Sequence, residues 1–597
     1  MGRREARSRR GSTVGRALGA AFGLSLVAAL SLPGFASAST VALQPNFATA
    51  PSVSYTAAAA EANRVTVTSA GGVLTLTDAG IAAIADGDGA GGCSVAANVA
   101  TCPAQTLNSV NANLQDAADT MTINASVAGS INGGVGADVL TGGPLADTLT
   151  GGADGDVLLG GDGNDLVRGS DGGDLLSGEG GVDLVDGNEG ADTLNGGASN
   201  DTLQPGVGTD DVSGGSGVDR VSYSTFVVGV NISADDIADD GPAGEADNVH
   251  SDIENYTGGS GPDTLIGTAR PNGILGGGGN DTVRGGAEDD SIDGSDGNDS
   301  LLGEDGNDTV NGSDGDDALD GGPGVDTVNG SFGADDIHGG PDRDQTSMTH
   351  DIVGATVTLD DQPGDGHPGE NDNVHSDVET VNGSAGPDTL IGNDAVNSFF
   401  GNNGNDVIEG GGGDDSIGGG SGDDNVSGGA GDDSVSGDLG ADVISGGAGE
   451  DFSSFFRTDP VAVSANGKPD DGLAGEGDNL GKDVEDFSGG SGDDVLIGSN
   501  SANEISGSGG DDRISGKGGG DDLFAGGGND NVTAGAGRDG VDGGSGDDKV
   551  KVKDGSPDQV TCGAGSDQVT TQNGKPHDQI EADCERVHRK GGSKGAR

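Results

Sequence analysis

The chain has no tryptophan, three tyrosines and three methionines in 597 residues, and apolar residues of every kind make up only 31% of it. That supply cannot fill the large hydrophobic cores of the three or four globular domains that this length would ordinarily suggest. Basic residues are also scarce, 27 lysines and arginines against 101 aspartates and glutamates, giving a net charge of −74. So acidic a chain repels nucleic acid and anionic membrane surfaces, and its natural partner is a cation. No run beyond Leu30 is apolar enough to span a bilayer. With 124 glycines, composition alone would be read as disorder.

Residues 1–38 differ from the rest. Arg3, Arg4, Arg7, Arg9, Arg10 and Arg16 precede the apolar run Ala17 to Leu30, and Ala36-Ser37-Ala38 closes it, which is the order of a secretory signal peptide cut after Ala38. Export to the cell exterior permits disulfides. Four cysteines allow three connectivities, and the local pairs Cys93–Cys102 and Cys562–Cys584 are expected because short loops close at the least entropic cost. From Ser39 to Asn132 alternating runs such as Val65-Thr66-Val67-Thr68 and Val73-Leu74-Thr75-Leu76 predict a β-rich N-terminal domain or cap.

What defeats disorder is a nine-residue period. Gly160-Gly161-Asp162-Gly163-Asn164-Asp165-Leu166-Val167-Arg168 is one copy: a glycine-rich turn, an acid at the sixth place, an aliphatic at the eighth. Through block 133–222 the sixth place is Asp138, Asp147, Asp156, Asp165, Asp174, Asp183, Asp192, Asp201, Asp210 and Asp219, and every eighth place from Leu140 to Val221 is Leu or Val. Block 258–347 carries Asp263, Asn272, Asp281, Asp290, Asp299, Asp308, Asp317, Asp326, Asp335 and Asp344. Block 383–454 carries Asp388, Asn397, Asp406, Asp415, Asp424, Asp433, Asp442 and Asp451, and block 489–551 carries Asp494, Asn503, Asp512, Asp521, Asp530, Asp539 and Asp548. The recurrence of Asn at the second unit implies duplication of whole blocks.

The inserts 223–257, 348–382 and 455–488 are copies of one another: Asp240 to Val249 matches Asp365 to Val374 and Asp471 to Leu480, and Asp252-Ile253-Glu254 matches Asp377-Val378-Glu379 and Asp483-Val484-Glu485. Their carboxylates could be general acids and bases, extra metal ligands or acceptors that close loops; three copies with no nucleophile beside them favour the last. Residues 552–597 loosen the period into Asp558-Gln559-Val560, Asp567-Gln568-Val569 and Asp578-Gln579-Ile580 between Cys562 and Cys584, a disulfide-closed cap followed by a basic tail from Arg586.

One buried aliphatic per nine residues does not offset the entropy of ordering nine, and stacked carboxylates repel. A divalent cation between turns answers both objections. Two nines make an eighteen-residue coil with two turns and two short strands, so that turns two repeats apart stack at about the 4.8 Å strand spacing. Glycine at the first, second and fourth places is expected to take positive φ and turn carbonyl oxygens toward the ion. All-oxygen, flexible coordination favours Ca²⁺ over Mg²⁺, and turns without His or Cys exclude Zn²⁺.

This Gly-Gly-x-Gly-x-Asp-x-aliphatic-x pattern is similar to the hemolysin-type calcium-binding, or RTX, nonapeptide. The resemblance implies an all-β fold: a right-handed parallel β-roll, or β-solenoid, in four tandem blocks with Ca²⁺ in its turns. It assigns ligand carboxylates to the sixth-place aspartates named above from Asp138 to Asp192, from Asp281 to Asp335, from Asp406 to Asp442 and from Asp512 to Asp548, with main-chain oxygens from first and third places such as Gly160 and Asp162. One ion between turns two repeats apart gives at most roughly 27 ions. Turns with Pro144-Leu145, Ala198-Ser199, Pro205, Asn272, Asn397 or Asn503 depart from the pattern and should be weak or empty.

For function, the chain reads as a secreted calcium-binding structural or adhesive protein rather than an enzyme. His-Glu-x-x-His is absent, and the one Gly-x-Ser-x-Gly, at Gly591 to Gly595, lies in the tail without a strand-turn-helix context. The alternative is a Ca²⁺-dependent module for cell-surface or wall glycans, with an unrecognised hydrolase third. The repeats specify no oligomeric state.

Overall fold

The computed structural model describes residues 39–44, 52–58, 62–70, 73–79, 84–86, 94–96, 99–103, 109–350, 352–572 and 578–590. The leader assigned to 1–38, Cys93 and the Gly591 to Gly595 motif lie outside them. Among the described residues there are strands and turns but no helix.

A typical strand, Leu166–Asp171, runs from the seventh place of one repeat to the third of the next. Its side chains alternate, so Val167 points inward and is fully buried while Leu166 and Arg168 face outward. The chain then turns, and the following strand Leu175–Gly180 lies on the opposite face. Pairing therefore skips one strand: Thr148–Ala153 pairs in parallel with Leu166–Asp171, which pairs with Leu184–Gly190. Every match is between residues eighteen apart, so each aliphatic lands on its own copy. On one face Leu149, Val167, Val185, Leu203 and Val221 stack, and on the other Leu140, Leu158, Leu176, Leu194 and Val212. All ten are completely buried. The core is thus two columns one side chain wide, which is all that the aliphatic content permits.

The two faces treat the inserts differently. One sheet of 27 strands passes through all four blocks, whereas the opposite face is divided into sheets of 11, 8, 6 and 8 strands. In the first insert, Asn248–Val249 adds to the strand Asp211–Ser216 and closes the first of these sheets, while Val230–Ile232 pairs with Thr264–Ile266 and begins the next. Asn255–Thr257 continues the long sheet, with Tyr256 taking its place between Val221 and Ile274. An insert is therefore a coil with a detour, which in the first copy closes as a short antiparallel pairing of Val230–Ile232 with Gly241–Pro242.

At the N-terminal end antiparallel pairs, Arg64–Ala70 with Val73–Asp78 and the latter with Val99–Pro103, cover the first coil. Parallel stacking begins upstream of Gly133, since Ser109–Asn113 and Thr120–Asn124 already pair with Ala128–Val135 and Val139–Thr141. At the other end Cys562 and Cys584 form a disulfide with their Cα atoms 5.2 Å apart. Cys102 is disulfide-bonded as well. The start of the predicted tail is not solvated coil: Arg586–Lys590 is a strand paired with Gln568–Gln572, its backbone serving as the last rung.

Leu301 is fully buried in mid-column. Leu301→Ala should lower stability in calcium by about 2–5 kcal/mol, read by urea denaturation, with loss of hydrogen-exchange protection centred on the adjoining coils of the second block.

Candidate metal centre

The turns place the sixth-place aspartate under the strand, inside the coil. Asp165 is only 4% exposed. Its Oδ1 accepts the backbone N–H of Asp147, one coil below, at 2.7 Å, and its own N–H donates to Asp183 Oδ1, one coil above, at 2.7 Å. Each aspartate repeats this, so the carboxylates form a ladder along each edge of the solenoid with one oxygen apiece engaged. The second oxygen is different. Among the described residues thirty aspartates hold a buried Oδ2 with no hydrogen-bond partner. A Cβ built on Gly160 would sit 2.5 Å from Asp165 Oδ2 and 2.7 Å from the carbonyl oxygen of Gly178. Two acceptors thus converge on one point at the first place of the turn, with no donor between them. Buried acceptors in that arrangement require a positive charge.

The glycines have separate reasons. At the first place φ is not in the left-handed region, against expectation; a Cβ built on these glycines would stand before Oδ2, and Leu114, Pro205, Ala525, Ala534 and Cys562 bring a side chain to that place in the open turns of Asp119, Asp210, Asp530, Asp539 and Asp567. The second place does take positive φ, +108° at Gly161, and so does the fourth, +133° at Gly163. Ser170, Glu179 and Asn188 adopt the same conformation at the second place, so the backbone shape is imposed by the stack and not by glycine alone.

That second-place conformation divides the turns into two classes. In all thirty turns with an unpartnered Oδ2 the second-place residue has positive φ. In the turns ending at Asp147, Asp263, Asp388 and Asp494 it does not. There the second-place N–H donates to Oδ2 instead, as from Gly259 to Asp263 at 2.5 Å and from Ser384 to Asp388 at 2.8 Å. The three asparagine turns close in the same way: Thr268 N–H donates to Asn272 Oδ1 at 2.6 Å, Asn393 to Asn397 at 2.9 Å and Ser499 to Asn503 at 2.7 Å. Asp147, expected as a ligand, therefore sits in a closed turn with both oxygens engaged. The other expected aspartates all stand in open turns. The turns with Ala198-Ser199 and Pro205 are open too, since Asp201 and Asp210 keep a free Oδ2 and Ser199 takes φ +88° at the fourth place. The carbonyl oxygen of Gly160 points toward Asp147 Oδ2, while the N–H of Asp162 donates to Gly143 at 3.0 Å.

Burial pushes the Asp165 carboxyl up to about 7; the negative charges of Asp183 and Asp147 add to the rise, and the hydrogen bond from Asp147 N–H opposes it. Asp156, Asp281, Asp406 and Asp512 are raised to about 7 by the same causes. A column of such groups is electrostatically expensive when ionised and without cations.

A family model, the RTX calcium-binding nonapeptide repeat, matches in overlapping windows across 132–221, 257–345, 376–452 and 488–550, more than half of the chain. The chain belongs to the RTX calcium-binding repeat family. No curated protein matches it at a significant level. The RTX repeat is a calcium-binding unit, and the chemistry of the open turns fits that ion: a carboxylate oxygen from the sixth place and a main-chain oxygen from the first place one coil above are hard, all-oxygen donors. Asp165 Oδ2 and Gly178 O are the pair that would hold it in one turn, and bound calcium would supply the charge that lets the carboxylates ionise.

Two open turns escape the sequence pattern and the RTX windows. Asp119, after Gln115 with φ +79°, and Asp567, after Gly563 with φ +83°, have the same orphaned Oδ2. Their signal was the Asp-x-apolar step, Asp119-Thr120-Met121 and Asp567-Gln568-Val569, without a glycine pair before Asp119.

The insert acids turn out to be acceptors that hold the detour. Asp240 takes the N–H groups of Ser233 at 2.7 Å and Val249 at 2.9 Å, and Asp365 and Asp471 do the same in their copies. Asp247, Asp372 and Asp478 receive the N–H of Asp210, Asp335 and Asp442, and Glu254, Glu379 and Glu485 that of Asp219, Asp344 and Asp451. The carboxylate ladder of each block thus ends on insert acids, whose own N–H groups go to main-chain oxygens such as those of Asp240 and Asp219, and a new ladder begins at Asp263, Asp388 and Asp494, whose Oδ1 atoms accept the N–H groups of Val230, Ala355 and Val461.

A carboxyl whose folded pKa lies above its unfolded value of 3.8 contributes stability below that value and loses it as pH rises through about 7. In chelator, acidification from about pH 8 to about pH 5 should therefore restore β-structure by circular dichroism, and saturating calcium should flatten that dependence. In calcium, Asp165→Asn is expected to lose about 1–3 kcal/mol and to bind fewer ions by equilibrium dialysis, whereas Asp147→Asn should keep the parent's ion count.

Proposed function

We propose that the chain is an exported protein that folds on binding many Ca²⁺ ions between stacked turns, and that it acts as an extended structural or adhesive element at the cell exterior with no catalytic role of its own. The observation that carries this reading is the array of buried, unpartnered Oδ2 atoms, most of them beside a main-chain oxygen from the next coil, as Asp165 Oδ2 is beside Gly178 O. The fold holds little else that would stabilise it without cations. Bound calcium would neutralise most of the −74 charge and tie consecutive coils along both edges, giving a rod whose rigidity follows external calcium. The basic leader with its apolar run supports export.

A calcium titration of the purified chain followed by circular dichroism and sedimentation is the test. Cooperative gain of β-structure and compaction at roughly 0.1–1 mM, the range of extracellular modules, is expected, with magnesium ineffective. A chain equally folded in chelator at neutral pH would overturn the proposal.

A further inference from the structure

The three inserts bring the same two carboxylates to one corner, Glu245 with Asp247, Glu370 with Asp372 and Glu476 with Asp478, and each corner accommodates them differently. In the first, the Tyr223 hydroxyl donates to Asp247 Oδ2 at 2.8 Å. Pro242 has no N–H to offer, and Glu245 Oε2 is buried without a partner. In the third, the N–H of Leu473 donates to Glu476 Oε2 at 2.7 Å, and a permanent cation, Arg457, places Nη2 3.6 Å from Glu476 Oε1.

The second corner has the third's frame with different side chains. The N–H of His367 donates to Glu370 Oε2 at 2.7 Å, as Leu473 does in its copy. His350 stands where Arg457 stands, its Nε2 3.6 Å from Glu370 Oε1. That separation is close to the roughly 3.4 Å between two ligands on a tetrahedral zinc with bonds of about 2.0–2.2 Å. His367 is only 6% exposed. Its Nε2 lies 3.0 Å from the carbonyl oxygen of Met348, which can only accept, so Nε2 carries the proton and Nδ1 keeps its lone pair. This Nδ1 is buried with no hydrogen-bond partner. A ligating imidazole commonly has its other nitrogen held by a main-chain carbonyl in this way. The two imidazoles meet edge to face at 4.5 Å, and one ligand atom from each of His350, His367 and Glu370 lies within 4.8 Å of the others.

We propose that His350, His367 and Glu370 form a site for one transition-metal ion of the Zn²⁺ class, separate from the calcium turns. Two imidazole nitrogens with one carboxylate oxygen form a donor set that suits zinc and not calcium. The ion occupies the role that the guanidinium of Arg457 plays in the third insert. The nearby Asp336, His338 and His375 also come together, but both nitrogens of His375 already face carboxylates, Asp336 at 2.8 Å and Asp361 at 3.3 Å.

The test uses the full chain in saturating calcium, titrated with Zn²⁺ against a chromophoric chelator and with Co²⁺ read by visible absorption. One tightly held Zn²⁺ per chain and a Co²⁺ ligand-field band are expected. His350→Arg and His367→Leu, which install the residues of the third insert, should each abolish both signals with calcium-dependent circular dichroism unchanged, and His338→Ala should alter neither. No stoichiometric zinc in the parent, zinc retained in both His350→Arg and His367→Leu, or zinc lost in His338→Ala would overturn the proposal.

Discussion

The structure depends on a carboxylate that is only half satisfied. Each sixth-place aspartate must be buried, because its Oδ1 is the acceptor that fixes the coil below in register. Burying it leaves Oδ2 facing a carbonyl oxygen of the coil above. A protein with a broad apolar core could absorb one such conflict, but this chain repeats it along both edges and has a core one side chain wide. Its two requirements, register and charge compensation, meet in the same residue. A cation that binds two oxygens from successive coils satisfies both, and the ladder then becomes a source of stability.

Whether a turn satisfies its own carboxylate is decided by one peptide unit. With positive φ at the second place, Oδ2 is left open; without it, the second-place N–H supplies a hydrogen bond and the turn is complete in itself. Closed turns fall near the start of the blocks, and asparagine replaces aspartate at three of them, where an amide is as good an acceptor and brings no charge. The turns near the block starts thus satisfy their own side chains, beside inserts whose Asp and Glu side chains take the last rungs of the preceding block. One sheet runs through every insert, so the blocks share a continuous backbone lattice.

Much of this was legible because the period is strict. Residues eighteen apart must coincide in a two-strand coil, so the columns of Leu and Val and the stacking of the turn aspartates followed from spacing, whereas the burial of those aspartates did not. The distinction between open and closed turns did not, since Gly142-Gly143 and Gly160-Gly161 are the same letters with different second-place conformations. Nor did the ends of the array: the turn before Asp119 reaches positive φ with Gln115 and Ala117, residues that carry no turn signal and are held in shape by the coil stacked on them. The inserts were readable as copies but not as coils, because their pairing residues are 34 to 37 apart and their reach is supplied by side chains.

If the second-place conformation sets where charge is needed, calcium sits at open turns and not at closed ones. The most direct measurement is a crystal structure of the calcium-loaded chain with calcium located by anomalous scattering. Peaks are expected beside Oδ2 of aspartates such as Asp165, Asp299 and Asp424, and none at Asp147, Asp263, Asp388, Asp494 or the three asparagine turns. Peaks at closed and open turns alike, or open turns without ions in saturating calcium, would contradict that placement of calcium.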